Sequence, residues 1–453
     1  MNSITVGRFA ELCQGVLYNS DANKLVIGFA LDDRDVAPGQ VFIAISGART
    51  DGHAFAENAM SAGAVAVLSE KALDCPHVLV PNVVEALANF GSALRDSFRG
   101  PVIGITGSNG KTTTKEMTVA ALSPLGDVLK SPSNKNTEYS SPLVWFQANH
   151  QSAAVIEMAM RGFGQIRHLA CIARPDVGVV TNIGTAHAEK VGNREGIMRA
   201  KAELIVELPA SGCTILWSED DFLAELRKCS AAPVRTFGFS QEAECRVLGY
   251  RALDWGKCAV RLSLDGKTAE CELPVIGRHQ ALNAAAAVLA AHSVGVSVKD
   301  SVDNLYKSEL PAMRLQVLEL DGAIVLLDTY NASPDSTVAA LRVLSEGPCK
   351  GRRIAVLGEM RELGDFTESG HRLVGKELVG STIDKVFLTG GPTDFIASEA
   401  TMAGYPSQNI VQDKELDIGH VEEFLSGLKE GDVVLVKGSR ALGLERALPA
   451  RAK

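Results

Sequence analysis

No apolar run in the 453 residues approaches the roughly 20 that a bilayer-crossing helix needs. The opening residues, MNSITVGRFAEL, lack a basic stretch followed by a long apolar one, so no signal peptide is expected. Basic charge is scarce: 45 Lys and Arg against 54 Asp and Glu give a net charge of −9, which argues against a nucleic-acid binder. A local basic pocket could still hold an anionic substrate. The nine cysteines, scattered from Cys13 to Cys349, include no C-x-x-C pair. That pattern fits reduced cytosolic thiols better than a disulfide frame or a zinc site. Internal repeats and low-complexity tails are missing too. What remains is the composition of a soluble cytoplasmic protein, 46% hydrophobic and 22% charged, long enough for about three domains.

Apolar runs alternating with helical stretches give the organisation. The first hundred residues are a turn-rich mixture with strands expected at 41–45 and 64–68, ended by the turn Arg99-Gly100-Pro101. Between about 101 and 310, strands are expected at Val102–Thr106, Ala153–Glu157, 177–181 and 258–264, with a helix at 113–122. This alternation implies βαβ crossovers and a largely parallel sheet. Past Pro311 a third unit repeats the pattern, with strands at 323–327, 353–357, Lys385–Thr389 and 432–436 and helices at 336–344 and 371–378. The expected architecture is α/β in three domains: 1–98, 99–310 and 311–453.

One loop carries most of the chemistry. Gly107, Ser108, Asn109, Gly110, Lys111 and Thr112 lie between a buried strand and a helix, where glycines let backbone N–H groups close around phosphate oxygens. Lys111 would reach the β- and γ-phosphates, and the Thr112 hydroxyl would ligate Mg²⁺. Strict Walker spacing needs Gly at position 105, which is Ile, so the loop is a variant. Glu157 closes the second apolar run, and a carboxylate there suits Mg²⁺. Taken alone, such a glutamate is more often a capping or surface residue. By the same standard His187 reads as a satisfied structural histidine, and Lys201, in the helical stretch MRAKAELIVEL, as a solvated lysine.

The blocks GITGSNGKTTTKEM, VIEMAMRGFGQI, PDVGVVTNIGTAH, AKAEL, GRHQALNAAAA and DTYNASPDS together resemble the ATP-dependent Mur ligases of peptidoglycan precursor synthesis. The N-terminal block DDRDVAPGQVFIAISGARTDGHAF is similar to the UDP-binding domain of the members that add a third amino acid or a dipeptide. The blocks VLLDTYNASPDS, VLGEMRELG with His371, and VLVKGSR are most similar to the last cytoplasmic member. The resemblance implies an N-terminal UDP-substrate domain, a central phosphate-loop ATPase domain and a Rossmann-like C-terminal ligase domain. It implies ATP as cosubstrate, two Mg²⁺ ions, UDP-N-acetylmuramoyl-tripeptide and D-alanyl-D-alanine as partners, and action as a monomer. Gly107 through Thr113 would cradle the nucleotide. Thr112 and Glu157 would hold one Mg²⁺ and His187 a second, beside Lys201 carbamylated by CO₂. Asn283 would contact ATP, unless it only packs its helix. Arg314 and Asp328 would reach the phosphate and ribose, and Tyr330 and Asn331 would line the adenine side. Arg34, Asp51 and His53 fall in the block tied to the UDP end, with a turn-stabilising role as the alternative.

Five positions depart from the family pattern. Thr137 and Ser140 replace an Asn and a Gly, Gln165 a Glu, Gln280 an Asn, and Met313 the Gly before Arg314. Folylpolyglutamate synthases would not be expected to carry the N-terminal block. Ligases adding the third amino acid usually show an Asn-Pro-rich motif in the last domain, which is not found. A non-catalytic homologue is the reading from another class, and the retained Lys111, Glu157, His187 and Lys201 argue against it.

Overall fold

The computed structural model describes residues 3–47, 50–132, 135–185, 188–449 and 452. Besides a two-stranded pair of Ile4–Thr5 with Leu25–Val26, three larger sheets succeed one another along the described residues. The first runs in the order Val16–Tyr18, His77–Leu79, Ala66–Ser69, Gln40–Ile43, Gly28–Ala30; only its first pair is antiparallel. Its core gathers Phe9, Phe90, Val41, Ile43 and Leu68 against the helix Val83–Arg95. Asn82 starts that helix by accepting from Glu85 N at 2.9 Å, an N-cap that satisfies one orphan donor. Leu143 and Phe146, far along the chain, complete the same core.

The central sheet has nine strands in the order Lys267–Leu273, Lys257–Leu264, Cys245–Asp254, Val234–Gly238, Cys213–Trp217, Val177–Val180, Val102–Thr106, Ala153–Glu157, Val128–Lys130. Val102–Thr106, Ala153–Glu157 and Val177–Val180 are buried at every residue, as parallel strands covered on both faces must be. The expected parallel sheet extends as far as Cys245–Asp254, and the last three strands then turn antiparallel. Asp265 and Gly266, both at positive φ (50° and 73°), form the two-residue turn that reverses the last of these hairpins, Lys257–Leu264 into Lys267–Leu273.

The third sheet runs Gln316–Leu320, Ala323–Asp328, Val433–Lys437, Arg353–Gly358, Lys385–Thr389, Ile410–Asp413, parallel except for the first pair. Among the described residues no helix is long and apolar enough to cross a membrane. In the central sheet, the carboxyl ends of Val102–Thr106, Ala153–Glu157 and Val177–Val180 meet at one crevice, where open α/β sheets place their ligands.

Candidate active site

The phosphate loop leaves Val102–Thr106 through Gly107, whose φ of 150° and surroundings exclude a side chain: a Cβ there would lie 1.8 Å from Thr181 Oγ1. The neighbouring strand's end holds the loop in place. Thr181 Oγ1 and Asn182 Nδ2 donate to Asn109 O (2.6 and 3.1 Å), and Asn182 O and Oδ1 accept from Ser108 N and Asn109 N (both 3.0 Å). Gly110, at φ 81°, starts the helix Lys111–Leu122 and offers no side-chain cap. The first N–H groups of that helix, carrying its positive dipole end, are therefore left for an anion. Lys111 lies folded over the loop, donating to Gly107 O (2.8 Å) and Ser108 O (3.2 Å). Burial pushes its amine down, Glu157 opposes the shift and Arg314 adds to it.

Glu157 is buried at the end of its strand. Its Oε1 accepts from Asn136 Nδ2 at 2.9 Å, its backbone N–H donates to Ser131 Oγ at 2.9 Å, and its buried Oε2 has no partner among the described residues. An orphaned carboxylate oxygen beside a phosphate loop fits a hard cation. Lys201, on the helix Arg194–Val206, is only 1% exposed, so it is no solvated surface lysine. Burial and then the charge of Lys111 press its amine well below the usual lysine range, which favours the neutral form. His187 lies outside the described residues. Among those described, no three His, Cys, Asp or Glu side chains gather as a metal site. The cation set implied by the resemblance therefore depends on Lys201 and His187 joining Glu157.

The third sheet supplies the opposite wall. Arg314 stacks its guanidinium 4.2 Å over Tyr330 and donates through Nη2 to Thr112 Oγ1 (3.1 Å), while its buried Nε has no partner among the described residues. A cation on Thr112 must share that oxygen with Arg314 or displace it. Ser333 Oγ donates to Asn109 Oδ1 (3.0 Å), so a second side chain ties the third unit to the loop. Asp328 accepts from Lys437 Nζ (2.6 Å), which also donates to Asn331 O (2.9 Å). Asn283 lies above Gly110; Thr114 Oγ1 donates to its Oδ1 and Gln280 Oε1 accepts from its Nδ2. Beside it, burial lowers His279 to about 4.

These walls enclose a cleft of about 1300 Å³, above the roughly 300–1,000 Å³ usual for one small molecule. Ser108 through Thr113, Glu157, Asn283, Arg314, Asp328, Tyr330 and Asn331 line it. Gly107, Lys201, Arg34, Asp51 and His53 are not part of the lining. Arg34 is 83% exposed and pairs with Asp32. His53 donates to Asp51 (2.6 Å) and accepts from Glu70 N, and Lys71 also binds Asp51. Hydrogen bonds from Lys71 and His53 hold the Asp51 carboxyl well below the usual range.

Sequence reasoning missed Asn136, His279 and Lys437 as lining residues, and the part Thr181 and Asn182 play in holding the loop. The last pair was legible as a polar strand end facing the crevice; Lys437 sits in a buried apolar run with no such signal. His371 is structural: its Nδ1 donates to Thr367 O and its Nε2 accepts from Met360 N. Three of the departures from the family pattern lie together. Thr137 N donates to Ser140 Oγ (3.3 Å), the two hydroxyls lie 3.1 Å apart, and Gln165 Nε2 donates to Glu138 Oε1 (3.2 Å).

Comparison with known proteins agrees with this architecture. Three family models match in chain order: Mur ligase family, catalytic domain (28–93), Mur ligase middle domain (105–291), and Mur ligase, glutamate ligase domain (313–440). The UDP-N-acetylmuramoyl-tripeptide–D-alanyl-D-alanine ligase of Bacillus subtilis (strain 168) is 33% identical, over 97% of this chain and 96% of its own. Among solved structures, MurF from Acinetobacter baumannii superposes with a TM-score of 0.88 at 28% identity, covering 99% and 98% of the two chains. MurF ligase from Thermotoga maritima in complex with ADP gives 0.80 at 31%, covering 93% and 96%. A folylpolyglutamate synthase from Mycobacterium tuberculosis, at 18% identity and TM-score 0.62, shares the fold over 81% of this chain. Fold and site thus define a three-part, phosphate-loop enzyme of the ligase class. The chain belongs to the Mur ligase family.

Proposed function

We propose that the chain is the ATP-dependent ligase that joins D-alanyl-D-alanine to UDP-N-acetylmuramoyl-tripeptide, acting as a cytoplasmic monomer in peptidoglycan precursor synthesis. The observation that carries this reading is one cleft in which the phosphate loop, the orphaned Glu157 oxygen and Arg314 of the third unit converge. The peptide's terminal carboxylate attacks the γ-phosphate of ATP, forming an acyl phosphate and releasing ADP. The dipeptide's neutral amine then attacks the acyl carbon, the tetrahedral adduct expels phosphate, and the amine proton leaves to solvent.

Phosphoryl transfer needs positioning and charge neutralisation more than covalent help. Lys111 and Arg314 supply both by exchanging their present acceptors, Gly107 O, Ser108 O and Thr112 Oγ1, for phosphate oxygens. Closure of the third unit on its hinge near 310–315 would exclude water. Asp328, Tyr330, Asn331 and Asn283 hold the nucleoside, and Arg34, Asp51 and His53 serve the UDP end. Thr112, Glu157, His187 and Lys201 would hold Mg²⁺, which neutralises phosphate charge when bound. Lys201 is suited to carbamylation: its neutral amine adds to CO₂ and loses a proton, giving an anionic oxygen donor in place of a nitrogen.

The test is phosphate release. We expect it only when the UDP-muramoyl tripeptide and D-alanyl-D-alanine are both present with ATP; equal release with a folate and glutamate would overturn the assignment. Lys201→Ala is expected to lose most turnover and to regain part of it with a short carboxylate in the assay. Wild-type turnover in that variant would remove Lys201 from the mechanism.

A further inference from the structure

The cleft wall that runs from Glu157 toward the first sheet carries two charges of opposite sign. Arg161, exposed, and Glu138, half-buried, both line the cleft, and among the described residues neither has an ion-pair partner. One side chain anchors both positions. Gln165 Oε1 accepts from Arg161 N (2.6 Å) and Gly162 N (3.1 Å), and its Nε2 donates to Glu138 Oε1 (3.2 Å). Glu203 fixes the far end of this loop by accepting from Gly164 N (2.7 Å) and Arg167 N (3.0 Å). The Thr137–Ser140 contact closes the loop that bears Glu138. A glutamate at 165 would set two carboxylates against each other; glutamine instead donates to Glu138 Oε1.

We propose that Arg161 and Glu138 together bind the free end of the tripeptide's third side chain, and that this end carries a carboxylate beside its ammonium, as in 2,6-diaminopimelate. The inference rests on the proposed function. A planar guanidinium pairs best with a carboxylate, and Glu138 suits an ammonium. A lysine side chain would satisfy Glu138 and leave Arg161 facing a second cation. D-Alanyl-D-alanine also carries both charges, but its amine must reach the acyl carbon unprotonated, and a carboxylate clasp would hold it as ammonium. The loop bearing Glu138 also continues through Tyr139, which packs on the core of the first sheet, the side assigned to the UDP-linked substrate.

The experiment measures kcat/KM for UDP-muramoyl tripeptides ending in meso-diaminopimelate and in L-lysine, with ATP and D-alanyl-D-alanine saturating. The diaminopimelate substrate is expected to be preferred by about 30-fold, the scale of one charge-assisted contact. Arg161→Ala should remove that preference by slowing the diaminopimelate substrate alone, and Glu138→Gln should weaken both substrates through KM. Unchanged thermal midpoints would show that both variants fold. Equal use of the two substrates by the wild type, or an Arg161→Ala effect confined to the KM of the dipeptide, would overturn the proposal. Turnover of neither substrate would instead sink the functional reading beneath it.

Discussion

A methyl group at Gly110 would lie 2.6 Å from Asn283 Oδ1 on a backbone at φ 81°, and both facts act on the nucleotide site. Gly110→Ala must strain a left-handed residue, at roughly 1 kcal/mol or more, and push Asn283 from its place over the loop. We expect the Kd for ADP, by calorimetry, to rise at least about tenfold and the melting temperature to fall by about 2–4 °C; an unaltered Kd would mean Asn283 does not depend on that contact. Met313 is the converse case, a side chain held at φ 61° where the family pattern expects glycine. Relief of strain in Met313→Gly, about 1 kcal/mol, is nearly cancelled by the added freedom of the unfolded glycine, about 0.5–1 kcal/mol. Denaturant titration should therefore find stability within about 1 kcal/mol of wild type.

Among the elements, the helix Arg278–Ser293 carries His279 at its start, and burial lowers that imidazole to about 4 against 6.5 when unfolded. Between pH 6.5 and 4 the unfolded chain binds a proton that the folded chain refuses. Stability from this group is thus complete above pH 6.5 and is lost as the pH falls toward 4. His371 and His168 shift in the same direction, also through burial. The urea midpoint should fall from pH 7 to 5, and less steeply in His279→Gln; parallel profiles would exclude His279. A second element, the turn of helix Ser141–Val144 with Trp145–Gln147, inserts Leu143 and Phe146 into the first sheet's core. Phe146 lies 5.1 Å from the ring of Phe29, edge-on. Phe146→Ala should cost about 3–5 kcal/mol, and residues 1–98 expressed alone should show poor near-ultraviolet dichroism. The strands and helices were legible because their apolar runs are long and bounded by turns. The plug at 141–147 was not, because SPLVWFQ has no period that says which core it enters.

Across the whole molecule, the third unit reaches the phosphate loop through Arg314 on Thr112 and Ser333 on Asn109. Arg314→Ala removes one of these ties and the stack on Tyr330 together. Small-angle scattering should record a larger radius of gyration without nucleotide, with ADP affinity reduced about 10- to 100-fold. An unchanged radius would show that other contacts set the placement of the unit.

By itself the sequence determined the alternation of strands and helices, the phosphate loop and the residues at the strand ends that face it. These follow from local rules: apolar runs must be buried, and glycine alone tolerates the loop's backbone. Only the tertiary structure decided that Lys201 is buried beside Lys111, that Glu157 keeps one oxygen unpartnered, and that Arg314 reaches Thr112 across 202 residues of chain. Burial and pairing depend on which surfaces meet. No spacing in the chain encodes that meeting until the central and third sheets come together around one cleft.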